Sequence, residues 1–407
     1  MVRAEGDMPA MKRAWSVLVL ALTAVAVPAG ARERVVHLKV GPFRIEAHRD
    51  REVCQAVRIP HARGLDVVTY ETRSRTARDV GTHHFIAYGY QGGDSAGFPR
   101  TLVDDPGCNG FGPADFFRNR VFLAGSGGEY VHGRWAITSG GVPPGLAQPL
   151  PTPADAQDDA VVVLNSHYFN NSRKAAHGLV KLILRLAPAD ASKRALHMLL
   201  EGTASRYIMV PPGDTRTVTA TWQADGAPNE IAESGFNPAG DVCVLYLTGH
   251  MHKRGTLFAL DYEEDGKDPQ PLLRATDYVH PGVVYYGRGF LLRAYSAANG
   301  HPRFRYSCTH ANGSAYQPVK MGCEAQPGVV PGISWAEGEA LDVSPLETHA
   351  RPCGLDGVNC AGYGTGRCVE ANLVFGPLSD DDMCILPGAI YDPLPGVPPE
   401  QACNPYS

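Results

Sequence analysis

Beyond residue 31 the apolar residues of this chain come in runs too short for ordinary core helices. They fall at 161–164, 179–186, 208–210, 242–247 and 283–286, and are rich in Val, Ile, Leu and Tyr. Glycine and proline, at 45 and 33 residues, break the chain between them. Short β-rich segments separated by turn residues favour antiparallel sheets packed face to face over helices on a parallel sheet. The expected fold class is therefore all-β. Only 189–200 has fair helix propensity, and it lies where a domain junction is expected. A chain of 407 residues exceeds a usual domain of roughly 100–200 residues, so two tandem sandwich domains are expected, at 32–190 and 191–407. A Cys/Gly/Pro-rich insertion near 320–370 interrupts the second. A loop-like stretch of that length is uncommon unless it is stapled or functional. Its cysteines, Cys323, Cys353, Cys360 and Cys368, could supply two staples, with the pairing left open.

The first residues read as an export signal. A basic Met11-Lys12-Arg13 precedes an apolar stretch at 14–27, and Ala29 and Ala31 form the small-residue pattern at which a signal peptidase cuts. Residues 1–31 are thus expected to be removed. No later run approaches the roughly 18 apolar residues of a membrane helix, so a secreted or periplasmic protein with no membrane span is expected. Ten cysteines, all beyond the signal, are an even number, as pairing in an oxidising compartment requires. The net charge of −5 and the scattered basic residues argue against a nucleic-acid partner.

Four separated segments carry potential soft-metal ligands: His83 and His84 in GTHHF, His167 in NSHYF, His250 and His252 in GHMHK, and Met383 in DDMC. On an extended strand His250 and His252 project from one face, so both can reach one ion. Neighbouring His83 and His84 point to opposite faces of a regular strand, and share an ion only if the backbone is irregular there. Each segment alone also has a plain structural reading, as a packed strand histidine or a core methionine. Two hydrolase-like contexts do not fit. Arg254 and Gly255 stand where a metallo-β-lactamase needs Asp-His, and Thr256 and Leu257 where a cupin needs its glutamate. A zinc hydrolase would also need a general base, and no glutamate stands beside these histidines in sequence.

In order and approximate spacing these segments belong to a longer series. It runs through Cys54 with Arg58-Ile59-Pro60, THHF, Cys108, Trp135-Ala136, Pro143-Pro144-Gly145 and NSHYF. It continues through Val210-Pro211-Pro212-Gly213, GHMH, His280-Pro281, Cys308 and Asp382-Met383-Cys384. The series resembles the copper type II, ascorbate-dependent monooxygenases, the family of peptidylglycine α-hydroxylating monooxygenase and dopamine β-monooxygenase. That resemblance implies two jelly-roll-like β-sandwich domains and two copper ions facing a water-filled cleft. His83, His84 and His167 would hold an electron-transfer copper. His250, His252 and Met383 would hold a catalytic, oxygen-binding one, a thioether being a soft ligand suited to Cu(I). It also implies the disulfides Cys54–Cys108, Cys308–Cys384 and Cys243–Cys403. Asn165 matches a polar residue used near the electron route, and His280 and His310 are candidates to support the second site.

The implied activity is hydroxylation of a C–H bond in a small molecule or modified peptide, with O2 and an external one-electron donor such as ascorbate as co-substrates. Thr248, Ile385 and Pro387 replace the arginine, asparagine and tyrosine with which peptidylglycine enzymes hold a substrate carboxylate, which argues against peptide amidation. The alternative is a non-catalytic, extracytoplasmic copper-binding or copper-delivery protein that retains the fold.

Overall fold

The computed structural model describes residues 33–406, except 48, 109, 128–133, 171, 228–237, 253, 279–280, 314–319, 322–368, 371 and 377–381. The expected signal segment, most of the insertion with its four cysteines, and His280 lie outside the described residues.

Alternating burial builds the first layer. In the strand Ala176–Pro188, Gly178, Val180, Leu182, Leu184 and Leu186 point inward, while His177, Lys181 and Arg185 face solvent. This period-2 pattern fixes which face is buried, because a slip of one residue would invert it. The strand pairs antiparallel with Arg34–Ile45 on one side and Leu65–Arg75 on the other. Against that sheet packs a five-stranded one, in the order Val103–Asp104, Arg49–Ile59, Ala160–Asn170, Val80–Tyr90, Arg120–Gly127. Val40, Ile45, Val180 and Leu184 from the first sheet meet Val53, Phe85, Val162, Leu164 and Tyr168 from the second in one apolar core. Each such side chain, taken from water, contributes roughly 1.5–3 kcal/mol.

The first sheet does not stop at residue 190. It continues through Leu146–Pro149, Arg194–Glu201, Leu386–Tyr391, Val242–Thr248 and Val283–Leu292. The link between the halves is a short parallel pairing of Arg194 and Ala195 with Leu146 and Ala147. Beyond it, the nine-stranded sheet backs a second core. Leu199, Val244, Leu247, Leu386 and Ile390 there meet Val218, Phe258, Leu260, Phe304 and Tyr306 from a four-stranded sheet. The chain is thus nearly all β and built of packed antiparallel sheets, as expected. Among the described residues no helix is long and apolar enough to cross a membrane.

One local expectation fails. The helix-prone stretch 189–200 contains a strand, Arg194–Glu201, paired with Leu386–Tyr391. Leu196, Met198 and Leu199 are buried there, so packing between two sheets overrides the intrinsic preference for helix.

Three disulfides close these sheets: Cys54–Cys108, Cys243–Cys403 and Cys308–Cys384. They are the three pairs that the family resemblance implied. No cysteine among the described residues is free, a pattern typical of oxidising compartments.

Candidate metal centre

The strand Ala160–Asn170 is buried along nearly its whole length because both of its faces are covered. Val162, Leu164 and Tyr168 point into the first core, whereas Val161 and Val163 belong to a separate apolar cluster on the other face. Asn165 and His167 follow Val161 and Val163 on that outer face by simple alternation. Both are 1% exposed.

Across the sheet, His167 stands opposite Glu52 on one neighbouring strand and opposite His84 on the other. The register of Val80–Tyr90 shifts between Thr82, which faces Tyr168, and His84, which faces His167. His83 is therefore the extra residue of a β-bulge. A bulge re-aims a side chain and frees consecutive residues from strict alternation, which is the irregularity that a shared site for adjacent histidines requires. The ring centroids of His83, His84 and His167 lie 5.1–5.3 Å apart pairwise. One side-chain nitrogen from each falls within 4.8 Å of the others.

The second set is assembled at the end of Val242–Thr248. His250 and Ile385 exchange backbone hydrogen bonds of 2.9 and 3.1 Å, so the GHMH segment runs antiparallel to the DMC segment. Asp382, which is fully buried, locks the two together. Its Oδ1 accepts from the backbone N–H of His252 at 2.9 Å and from that of Met383 at 2.8 Å. Its other oxygen lies 3.2 Å from Nδ1 of buried His310. Burial alone would raise the Asp382 carboxyl, but His310 and the backbone amide of His252 outweigh it and hold it below the usual range. On the other side of Met383, the Ser205 hydroxyl both donates to the Cys384 carbonyl and accepts from its N–H. Cys384 is also tied to Cys308. The methionine is thus fixed at its backbone from both neighbours.

The two sets are not separate pockets across a gap. His83 lies 4.5 Å from His252 and 6.3 Å from His250, ring centroid to centroid. His83, His250 and His252 form a second group whose ligand nitrogens fall within 4.8 Å. Five imidazoles therefore make one continuous cluster, with His83 common to both groups, where the family resemblance implied two coppers facing a cleft.

Burial, and secondarily the imidazoles of His252, His167, His84 and His250, pushes the His83 ring well below the usual histidine range. Burial, with His252 and His84, lowers His250 to about 3. These rings are accordingly neutral at physiological pH, the state in which imidazole binds metal. Nε2 of His83 is buried without a hydrogen-bond partner. Desolvating such a nitrogen costs about 1–3 kcal/mol, a penalty that a bound ion would remove. The donor set of five imidazoles beside a methionine segment fits a soft or borderline transition metal and not an oxygen-seeking one.

Glu52 was not anticipated from the sequence. Its Oε1 accepts from the Gly107 N–H at 2.8 Å and Asn165 Nδ2 at 2.8 Å, and lies 3.2 Å from His84 Nε2. Its Oε2 is 3.7 Å from His167 Nδ1. Burial opposes the charge, but His84, His167 and Asn165 prevail and hold the carboxyl at about 2. Asn165, expected near an electron route, bridges this carboxylate and His84, with Oδ1 2.8 Å from Nε2. The residues at the positions of a peptide-carboxylate anchor remain uncharged. Thr248 donates to the Gly282 carbonyl, Ile385 pairs with His250, and Pro387 lies in the strand Leu386–Tyr391.

No family model matches the chain, and a comparison with curated proteins finds no match. Among solved structures it is distantly similar to PNGF-II, at 11% identity over 70% of this chain and 64% of that one, with a TM-score of 0.30. It is also distantly similar to the major capsid protein P2 of bacteriophage PM2, at 8% identity over 70% of this chain and all of that one, with a TM-score of 0.25.

Proposed function

We propose that this chain is an exported dicopper monooxygenase, hydroxylating a C–H bond of a small molecule or modified peptide with O2 and an external one-electron donor of the ascorbate type. The observation that carries the reading is the convergence of His83, His84, His167, His250 and His252 into one cluster, with the backbone of Met383 bound to that of His252 through Asp382. Bound copper would supply one-electron chemistry and an O2-binding centre. The protein supplies the rest. The bulge at His83 aims adjacent rings into one space, burial keeps the His83 and His250 rings neutral, and Asp382, Ser205 and the Cys308–Cys384 bond fix the methionine segment. Without a charged anchor at Thr248, Ile385 or Pro387, a substrate carboxylate gains no partner there, which favours a neutral group at the reacting end.

Copper-loaded protein given ascorbate should consume O2 in a substrate-dependent manner, and Met383→Ile or His250→Ala should abolish the uptake. Uptake unchanged in both variants would refute the reading. Tight copper binding with no turnover of any substrate would instead favour copper storage or delivery. A single zinc and no copper would favour a hydrolase, for which Glu52 is the carboxylate beside His84 and His167, although its Oε1 is already engaged.

A further inference from the structure

We infer that Glu52 is a positioning residue for the first histidine set: it fixes His84 as the tautomer that offers Nδ1 to a metal, and it places a fixed negative charge beside that metal. The inference rests on the copper reading above.

An ionised carboxylate only accepts hydrogen bonds. Asn165 Nδ2, 2.8 Å from Glu52 Oε1, is therefore the amide's donating end, and the orientation of this amide follows from its partner. Its Oδ1 is thereby left facing His84 Nε2 at 2.8 Å. His84 Nε2 then meets two acceptors, Asn165 Oδ1 and Glu52 Oε1 at 3.2 Å. It must carry the ring proton, and Nδ1 is the atom with a free lone pair. This is the carboxylate–histidine–metal arrangement, in which the outer partner sets both tautomer and ring orientation. The Gly107 N–H, donating at 2.8 Å, anchors the same oxygen to the loop closed by Cys54–Cys108. The second oxygen reaches toward His167, 3.7 Å from its Nδ1. Glu52 thus touches two of the three rings of the set, from the strand directly beside His167.

The charge has a redox consequence. Oxidation from Cu(I) to Cu(II) adds one positive charge, and a neighbouring buried anion stabilises the more positive state. Glu52 therefore stabilises Cu(II) at this site and sets a lower reduction potential than the three imidazoles alone would.

The test uses the full chain loaded with copper alone. In a redox titration followed by the Cu(II) resonance, Glu52→Gln should move one of the two coppers toward Cu(I), by on the order of tenfold or more in the ratio of Cu(I) to Cu(II) affinity. The carbonyl band of the other copper should not move, which also shows the variant to be folded. Glu52→Asp should restore the parent ratio, because it keeps the charge. In the diamagnetic Cu(I) protein, nitrogen NMR of labelled histidine should show His84 protonated at Nε2. An unmoved midpoint in Glu52→Gln, an aspartate variant that behaves like the glutamine one, or metal on His84 Nε2 would each overturn this inference while leaving the copper reading intact. Absence of copper from the His83, His84 and His167 set in the parent would overturn both.

Discussion

Replacing Asp382 separates the structural role of its carboxylate from its charge. In Asp382→Ala the backbone N–H groups of His252 and Met383, bonded at 2.9 and 2.8 Å, lose an acceptor that is itself fully buried. Hydrogen bonds to a charged group contribute about 1.5–3 kcal/mol each. The pair therefore sets a loss of about 3–6 kcal/mol, near the upper end for a single substitution. Asp382→Asn keeps one oxygen for both amides and removes only the charge facing His310, 3.2 Å away. It should cost about 1–2 kcal/mol. Urea unfolding of the metal-free, disulfide-intact proteins measures both. The alanine variant should in addition lose the Cu(I)-carbonyl signal of the His250, His252 and Met383 set, and the asparagine variant should keep it. An alanine variant within about 0.5 kcal/mol of the parent, or alanine and asparagine variants of equal stability, would refute the claim that this carboxylate fastens the two ligand segments.

Three further outcomes follow from the geometry. His83→Ala and His84→Ala should each release one copper only, because a neutral imidazole has a single lone pair to give, although the His83 nitrogens lie within reach of both groups; copper counting against a Cu(I) chelator measures this, and full loading in either variant would contradict the ligand assignment. In the metal-free protein the unfolded chain protonates His250 near 6.5 while the folded ring resists down to about 3; stability should therefore fall as pH drops through that window, by up to about 1.4 kcal/mol per pH unit for this ring, with His83 adding in the same direction. A Tm that is flat or rising from pH 7 to pH 4 would count against buried neutral rings. A Cβ at Gly249 would sit 2.5 Å from the Phe258 ring, so Gly249→Ala should cost about 1–3 kcal/mol by overpacking and should displace the adjacent His250, measured as lost copper at that set; a variant of parental stability and loading would contradict the close approach.

Much of the fold was legible because strand periodicity is a local signal. Val161 and Val163 against Val162 and Leu164 already separate two faces, and Asn165 and His167 inherit the first of them. What escaped depends on register between distant strands. Nothing near Glu52 in sequence says that it will face His167 across a sheet, and the statement that no glutamate stands beside the histidines holds only along the chain. The bulge at His83 was required by two adjacent ligands but could not be located without the partner strand. The union of both sets through His83 needed the packing of two halves joined by a two-residue pairing. The strand at Arg194–Glu201 was missed for a similar reason, since its conformation is imposed by Leu386–Tyr391 nearly two hundred positions later.

The most direct test of the central claim is metal analysis of the purified chain after copper loading, combined with carbon monoxide binding to the reduced protein. The account predicts two coppers per chain, one of which binds carbon monoxide and loses it when Met383 is replaced by isoleucine. A single metal per chain, zinc in preference to copper, or a carbonyl adduct indifferent to Met383 would contradict it.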